Sequence, residues 1–293
     1  MRSRPLFRLF LGADIAPSPG MVQLLKAIRE AGPFAGAGRN MLSRLARTLS
    51  TFALAALACT ANADKLTVAA ASDLKFALTD IRDAWIKNHP GNSIDLIFGS
   101  SGSFATQVKN GAPYDVFFSA DIAFPKQLEA EGFAASRVVP YAVGRIVVWQ
   151  ARPGKAPTLT DLASPAFRRV AIANPNHAPY GMRAVEALKG AKVWNKVEPK
   201  LALGENIAQT AQFVESGAAD AGIVALSLVT SPALAGKGAY TLIDASLHAP
   251  LQQAFIVTRH GKDNALARAF TEFSRSPEAV AILRRYGFTL PAP

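Results

Sequence analysis

The sequence predicts an α/β protein whose sheets are mostly parallel and flanked by helices. Three observations predict it. From Lys65 onward, short runs of small and β-branched apolar residues alternate with longer stretches in which apolar residues recur every three to four positions. Several of the short runs end in Ser-, Gly- or Asn-rich turns that lead straight into a helical stretch, the pattern of crossover-connected strands. No internal repeat or low-complexity tract interrupts the alternation.

In chain order, residues 66–71 form the first strand, and Leu74, Leu78, Ile81 and Trp85 share one face of a helix ending before Pro90. Ile94, Leu96 and Phe98 alternate as a strand ahead of a helix at 104–109. A buried strand at 116–118 precedes a helix at 122–131, and 146–149 is another strand. Next come a strand at 170–173, a helix at 181–188 and a helix at 207–216. Strands at 222–224 and 255–257 follow, and helices at 264–273 and 277–286 close the chain. Ser276-Pro277 starts the last helix and Gly287 stops it.

The 293 residues allow one large domain or two of ordinary size, and a composition 50% hydrophobic and 18% charged excludes a disordered chain. Cys59 is the only cysteine, so neither an intrachain disulfide framework nor a cysteine-based zinc site is available. The net charge of +11 is uneven. Residues 1–63 carry eight Lys/Arg against two Asp/Glu, whereas residues 64–293 carry 24 against 19. That distribution argues against a nucleic-acid partner.

It fits an export signal instead. Arg44 and Arg47 precede a short apolar run at 49–58, and Ala61-Asn62-Ala63 is a small-x-small cleavage site. Residues 41–63 therefore read as a signal peptide cleaved after Ala63, its apolar run well short of the ~20 residues that span a bilayer. Met41 reads as the true start and residues 1–40 as a gene-model extension. Ala56-Leu57-Ala58 matches a lipobox poorly, so cleavage rather than lipid attachment at Cys59 is expected. The product is expected to be soluble and exported.

Ligands of open α/β sheets bind at the carboxyl ends of strands. Four turns stand there: Ala70-Ala71-Ser72-Asp73-Leu74, the Gly99-Ser100-Ser101-Gly102-Ser103 turn, the Asn174–Gly181 segment, and Gly204-Glu205-Asn206-Ile207. Each offers free amides and the positive end of a helix dipole, and none contains Lys or Arg. A helix end contributes about 0.3–1 kcal/mol to an anion, and a hydrogen bond to a charged partner about 1.5–3 kcal/mol. Four converging turns would reach the ~8 kcal/mol of a micromolar complex. Taken singly, each is an ordinary helix cap.

Other chemistry has weaker support. The Gly99–Ser103 turn lacks the G-x-S-x-G spacing of a hydrolase nucleophile. His89, His177, His248 and His260 form no i, i+4 metal pair, and His177 reads as a loop-packing residue. Asp73 and Asp121 are expected to stabilise nearby helix N-termini, since a carboxylate aimed at an anion would repel it. Trp85, Trp149 and Trp194 read as packing residues.

The motifs Val68-Ala69-Ala70-Ala71-Ser72-Asp73-Leu74, Gly99-Ser100-Ser101-Gly102, Gly111-Ala112-Pro113 with Asp115–Asp121, Asn174-Pro175 with Ala178-Pro179-Tyr180-Gly181, Gly204-Glu205-Asn206-Ile207 and Arg285-Tyr286-Gly287-Phe288 resemble the periplasmic molybdate-binding protein family. The likeness runs from Lys65 to Phe288 with the motifs in the family's order. It implies a type II, two-lobed periplasmic binding protein, with the ligand in the cleft between lobes of residues 64–143 plus 250–293 and 144–249. Ser72 and Ser101 would bind through hydroxyl and amide, Tyr180 and Ile207 through their amides. Asp73, Ser100, Asn206 and Ala225 would form a second tier. Some members place a tyrosine hydroxyl on the ligand where this chain has Ala225, and the Tyr180 hydroxyl is the candidate replacement.

By that resemblance the protein is a periplasmic monomer that closes about a hinge on molybdate, and on tungstate, and delivers it to an inner-membrane ABC permease. It would need no cofactor, contain no direct protein–metal ligand and catalyse nothing. A receptor for another tetrahedral oxyanion such as sulfate, thiosulfate or phosphate stays open as the alternative, and an exported hydrolase as the remote one.

Overall fold

In the computed structural model residues 65–291 are described; the expected extension at 1–40, the signal peptide at 41–63 and Cys59 lie outside the described residues. The small apolar run at the start becomes the middle of a sheet. β1 (Lys65–Ala71) is buried at all but Lys65 and Thr67, and pairs in parallel with β2 (Ser93–Gly99) on one side and β3 (Val116–Ser119) on the other. Parallel strands need cover on both faces. Leu66, Val68 and Ala70 pack with α1 (Lys75–Asn88), whose Leu78, Ile81 and Trp85 are buried as the helical spacing predicts. Ala69 turns the other way, onto α2 (Ser101–Lys109) and α3 (Ala123–Ala130) through Phe104, Val108 and Leu128.

The chain then leaves this sheet along β4 (Val139–Gly144) and enters a second one at β5 (Ile146–Gln150), with only Arg145 between. The second sheet adds β6 (Val170–Ala173), α4 (Pro179–Gly190), the short α5 (Trp194–Val197), β7 (Leu201–Gly204), α6 (Ile207–Glu215), β8 (Ala221–Ala225), the short α7 (Leu226–Val229) and β9 (Ala239–Leu242). β10 (Leu251–Val257) returns to the first sheet, and α8 (Ala265–Phe273) and α9 (Pro277–Arg285) pack beside α1.

Strand order is β2-β1-β3-β10-β4 in one sheet and β7-β6-β8-β5-β9 in the other. The two sheets share one pattern. Four strands of each point the same way, and the fifth, β10 or β5, runs antiparallel to both neighbours. The mostly parallel expectation therefore holds for strand direction but for only half of the pairings. The reason is connectivity: β5 and β10 each arrive from the opposite sheet. Three edge strands, β4, β7 and β9, carry no signal that periodicity detects. β4 contains Pro140, β7 is four residues long, and β9 is at most half-buried, with Tyr240 and Leu242 facing solvent. α4 begins two residues earlier than its apolar pattern suggests, because Pro179 suits a first helical position. Trp85 and Trp149 are core residues, the latter donating its indole N–H to Lys237 O at 2.9 Å. Among the described residues no helix is long and apolar enough to cross a membrane.

Candidate functional site

The carboxyl ends of β1 and β2 and the turns before α4 and α6 meet around one small cavity. Ser72, Asp73, Ser100 and Ser101 line it from the first sheet, and Tyr180 and Ile207 from the second. Of the residues expected at the site, these six come together. Asn206 stands directly behind them, whereas Ala225 does not line the cavity: it is the buried end of β8, adding no donor side chain.

Each turn hands most of its amides to a defined partner. Ser100 caps α2 by accepting from Ser103 N, and Asn206 caps α6 by accepting from Ala208 N and Gln209 N. Gly102 N donates to His177 O at 2.9 Å, and Gly181 N to Ala178 O. The amides of Ser101, Tyr180 and Ile207 stand in first turns where no intrahelical carbonyl can reach them, as does that of Ser72 at the start of the short helical segment 72–74. The first three belong to three different helices whose N-termini face one cavity.

Side chains tie the two sheets together at the rim. Ser72 does not cap the turn that it begins. Its Oγ donates to Asn206 Oδ1 at 3.0 Å and accepts from Ala208 N at 3.2 Å, both across the cleft. His177 Nδ1 lies 2.8 Å from Ser100 Oγ, and Ser227 Oγ donates to Asp73 O at 2.7 Å. Ser101 Oγ accepts from Ala120 N at 3.0 Å, which leaves its own proton to donate. Among the described residues no lysine or arginine lines the cavity.

The Asp73 carboxyl is the centre of a buried network that the sequence did not announce. Its Oδ2 accepts from Gln253 Nε2 at 2.6 Å and from the Tyr180 hydroxyl at 2.9 Å, and Gln253 Oε1 accepts from Tyr141 at 2.6 Å. The expectation that Asp73 stabilises a helix N-terminus holds in part: it stands in the first turn of the short helical segment 72–74, where the amides of Asp73 and Leu74 favour its ionised form, and its carboxyl also centres this network. Asp121 does serve a helix start, accepting from Ala123 N. The Tyr180 hydroxyl, the candidate replacement for the missing tyrosine, donates its proton to Asp73 here. Gly144 makes room for that hydroxyl, which a Cβ would strike.

Burial pushes the Asp73 carboxyl up to about 6, and the hydrogen bonds from Gln253 and Tyr180 keep it from rising further. Burial and the neighbouring carboxyl push the Tyr180 and Tyr141 phenols well above their ordinary range, so both remain donors. The folded value of Asp73 exceeds its unfolded one. Its contribution to stability is therefore complete below about pH 4 and lost as the pH rises through about 6. Asp73→Asn keeps an acceptor for Tyr180 and Gln253 and removes the charge. Urea unfolding should show it stabilised by up to about 3 kcal/mol at pH 8 and nearly unchanged at pH 4. No difference between the two pH values would show that the carboxyl is not strained.

Gln253, which is fully buried, had a weak sequence signal: with Gln252 it is one of two polar residues in an otherwise apolar strand. Ser227, Tyr141 and His177 offered no such signal; their roles depend on which turns face each other.

Two sheets of this topology, with their turns meeting over one cavity lined by uncharged donors, have the build of a solute-binding receptor. Residues 66–289 match the family model of bacterial extracellular solute-binding proteins, and the chain belongs to that family. Among its relatives, the molybdate-binding protein ModA of Azotobacter vinelandii is 36% identical over 249 residues, spanning 84% of this chain and 98% of that one. ModA of Rhodobacter capsulatus is 37% identical over 201 residues, 68% of this chain and 78% of that one. The solved periplasmic molybdate-binding protein of A. vinelandii aligns with a TM-score of 0.73 at 32% identity, over 78% of this chain and all of that one. The sulfate-binding protein SubI of Mycobacterium tuberculosis, 15% identical with a TM-score of 0.63, covers 78% of this chain and 88% of its own and shares the fold alone.

Proposed function

We propose that this protein captures molybdate in the periplasm and delivers it to an ABC permease for import. The observation that supports this reading best is the convergence of three first-turn amides and the Ser72 and Ser101 hydroxyls on one small cavity without a cationic side chain. The likeness to ModA proteins supplies the identity of the anion. In this reading the amides of Ser101, Tyr180 and Ile207 and the two serine hydroxyls hold the four oxygens of a tetrahedral dianion. The Ser72 hydroxyl rotates from Asn206 towards the anion as it does so. Closure strengthens each bond by excluding water. Molybdenum enters as cargo within its oxygen shell, with no protein atom bound to the metal and no cofactor required.

The lobes we assign, 64–143 with 250–293 and 144–249, close through flexing at the β4–β5 and β9–β10 crossings, and the closed monomer is the form that the permease recognises. Tungstate has the same charge and shape and binds comparably. Sulfate has shorter bonds and leaves donors spaced for molybdate under-filled. Export follows from the signal peptide at 41–63, cleaved after Ala63.

Ser100 and His177 form a close serine–histidine pair, the one feature that favours a hydrolase. The Ser100 proton, however, goes to Ser103 Oγ at 2.9 Å, and Glu205, 3.6 Å from His177 Nε2, is mostly exposed. His177 is thus a donor to Ser100, and the pair is a latch across the cleft rather than a nucleophile with its base.

Isothermal titration of the purified protein separates these readings. Molybdate and tungstate are expected to bind one to one with Kd about micromolar or tighter, and sulfate and phosphate at least about a hundredfold more weakly. Sulfate binding as tightly as molybdate would reassign the cargo.

A further inference from the structure

A dianion site with a carboxyl in its wall is a contradiction unless that carboxyl is neutral when the anion is present. Asp73 lines the cavity and is fully buried. Its two oxygens are unequal: Oδ2 accepts two hydrogen bonds, whereas Oδ1 is buried with no partner. An ionised acceptor oxygen left so, on a residue that lines a site built for negative charge, would repel the guest by several kcal/mol at short range. The same oxygen carrying a proton becomes one more donor.

The groups around Asp73 leave it free to take that proton. Tyr180 of α4 and Gln253 of β10 donate to Oδ2, Tyr141 of β4 binds Gln253, Ser227 of α7 binds the main-chain oxygen, and the amides of Asp73 and Leu74 favour the ionised carboxyl without outweighing its burial. The titratable members of this set, Tyr180 and Tyr141, stay protonated. His177, before α4, is engaged with Ser100, and the charged Lys75 of α1, Asp95 of β2 and Glu215 of α6 are exposed. No buried cation holds the carboxyl ionised among the described residues that contact it.

Resting on the molybdate reading above, we propose that Asp73 is a specificity-determining residue that takes up one proton as the oxyanion enters and donates a hydrogen bond from Oδ1 to it. The step is balanced simply. A carboxylate, one proton from solvent and the dianion become a carboxylic acid hydrogen-bonded to the dianion; no covalent bond to the guest forms and nothing is oxidised. Burial already shifts the free carboxyl toward the neutral form, and the arriving charge shifts it further in the same direction.

Two consequences follow. Once Asp73 is neutral, the anion meets donors only, which favours an oxyanion with four unprotonated oxygens. Capture is also tied to pH: above the titration of free Asp73, affinity falls towards tenfold per pH unit. Asparagine at this position reproduces the neutral acid, with a carbonyl for Tyr180 and Gln253 and an N–H for the anion, but it cannot titrate.

The test is calorimetric titration of the whole protein with sodium molybdate from about pH 6.5 to about pH 8.5, in two buffers of different protonation enthalpy. The wild type is expected to take up close to one proton per anion at the upper end, with affinity declining towards tenfold per unit. Asp73→Asn is expected to take up none, to bind with pH-independent affinity, and to exceed the wild type about tenfold or more at the highest pH. Tight wild-type binding with no proton uptake and a flat pH profile would overturn the proposal while leaving the molybdate reading intact. No binding of molybdate by either protein at any pH would overturn both. If the variant fails to fold, the wild-type proton count decides alone.

Discussion

Ile207→Pro is expected to weaken molybdate binding by tenfold to about a hundredfold while leaving the fold in place. Ile207 is the first residue of α6, a position that tolerates proline because its N–H has no intrahelical partner. The preceding Asn206 is extended (φ −153°, ψ 174°), the region that a following proline favours. The substitution therefore deletes one amide donor and little else of the backbone. A hydrogen bond to a charged partner contributes about 1.5–3 kcal/mol, which sets the range. The Ile207 side chain is buried, so Ile207→Ala is the control: it loses the same packing and keeps the amide. Titration calorimetry should place the alanine variant near the wild type and the proline variant well below it. Equal losses in both would mean that the amide does not touch the anion.

Gly102→Ala should separate closure from stability. Gly102 lies in the first turn of α2 and meets the backbone of the opposite sheet, donating to His177 O at 2.9 Å. A Cβ there would stand 2.7 Å from that oxygen and 3.0 Å from His177 Cα. Backbone atoms cannot swing aside as a flexible side chain would. Within a helix the change is otherwise mildly favourable, by roughly 0.5–1 kcal/mol. If the free protein opens at the hinge as proposed above, the strain falls on the form with the two sheets this close, and overpacking of this kind costs about 1–3 kcal/mol. Affinity for molybdate is expected to drop about tenfold or more, with thermal stability of the free protein unchanged or slightly raised. Unchanged affinity would show that the His177–Gly102 contact is no part of the bound form.

The residues that line the cavity were legible in the sequence for a specific physical reason. A strand that ends in Ser-Asp or Gly-Ser-Ser and becomes a helix has to expose first-turn amides at its carboxyl end, and the sheet fixes where that end points. The turns at Ser72 and Ser101 announce themselves in this way, whereas the choice of Ser72, Ser101, Tyr180 and Ile207 within the four turns rests on the resemblance to the molybdate-binding family. What the chain does between sheets left no local trace. β5 and β10 read as ordinary apolar strands, and their antiparallel direction depends on the crossing at Arg145 and the return before Leu251. The short or half-exposed edges β4, β7 and β9 had no periodicity to read. The direction of the Tyr180 hydroxyl was the least legible feature. The group's proximity to the site was foreseeable, but its direction is set by Asp73 and Gln253, residues 107 and 73 positions away, and by the space that Gly144 leaves.

Crystals of the protein grown with molybdate would probe the donor set most directly. The anion's oxygens should lie within about 2.7–3.2 Å of the amides of Ser101, Tyr180 and Ile207 and of the Ser72 and Ser101 hydroxyls, with no cation in contact. An anion seated elsewhere, or neutralised by a lysine, an arginine or a bound metal ion, would contradict the claim that uncharged donors from both sheets hold it.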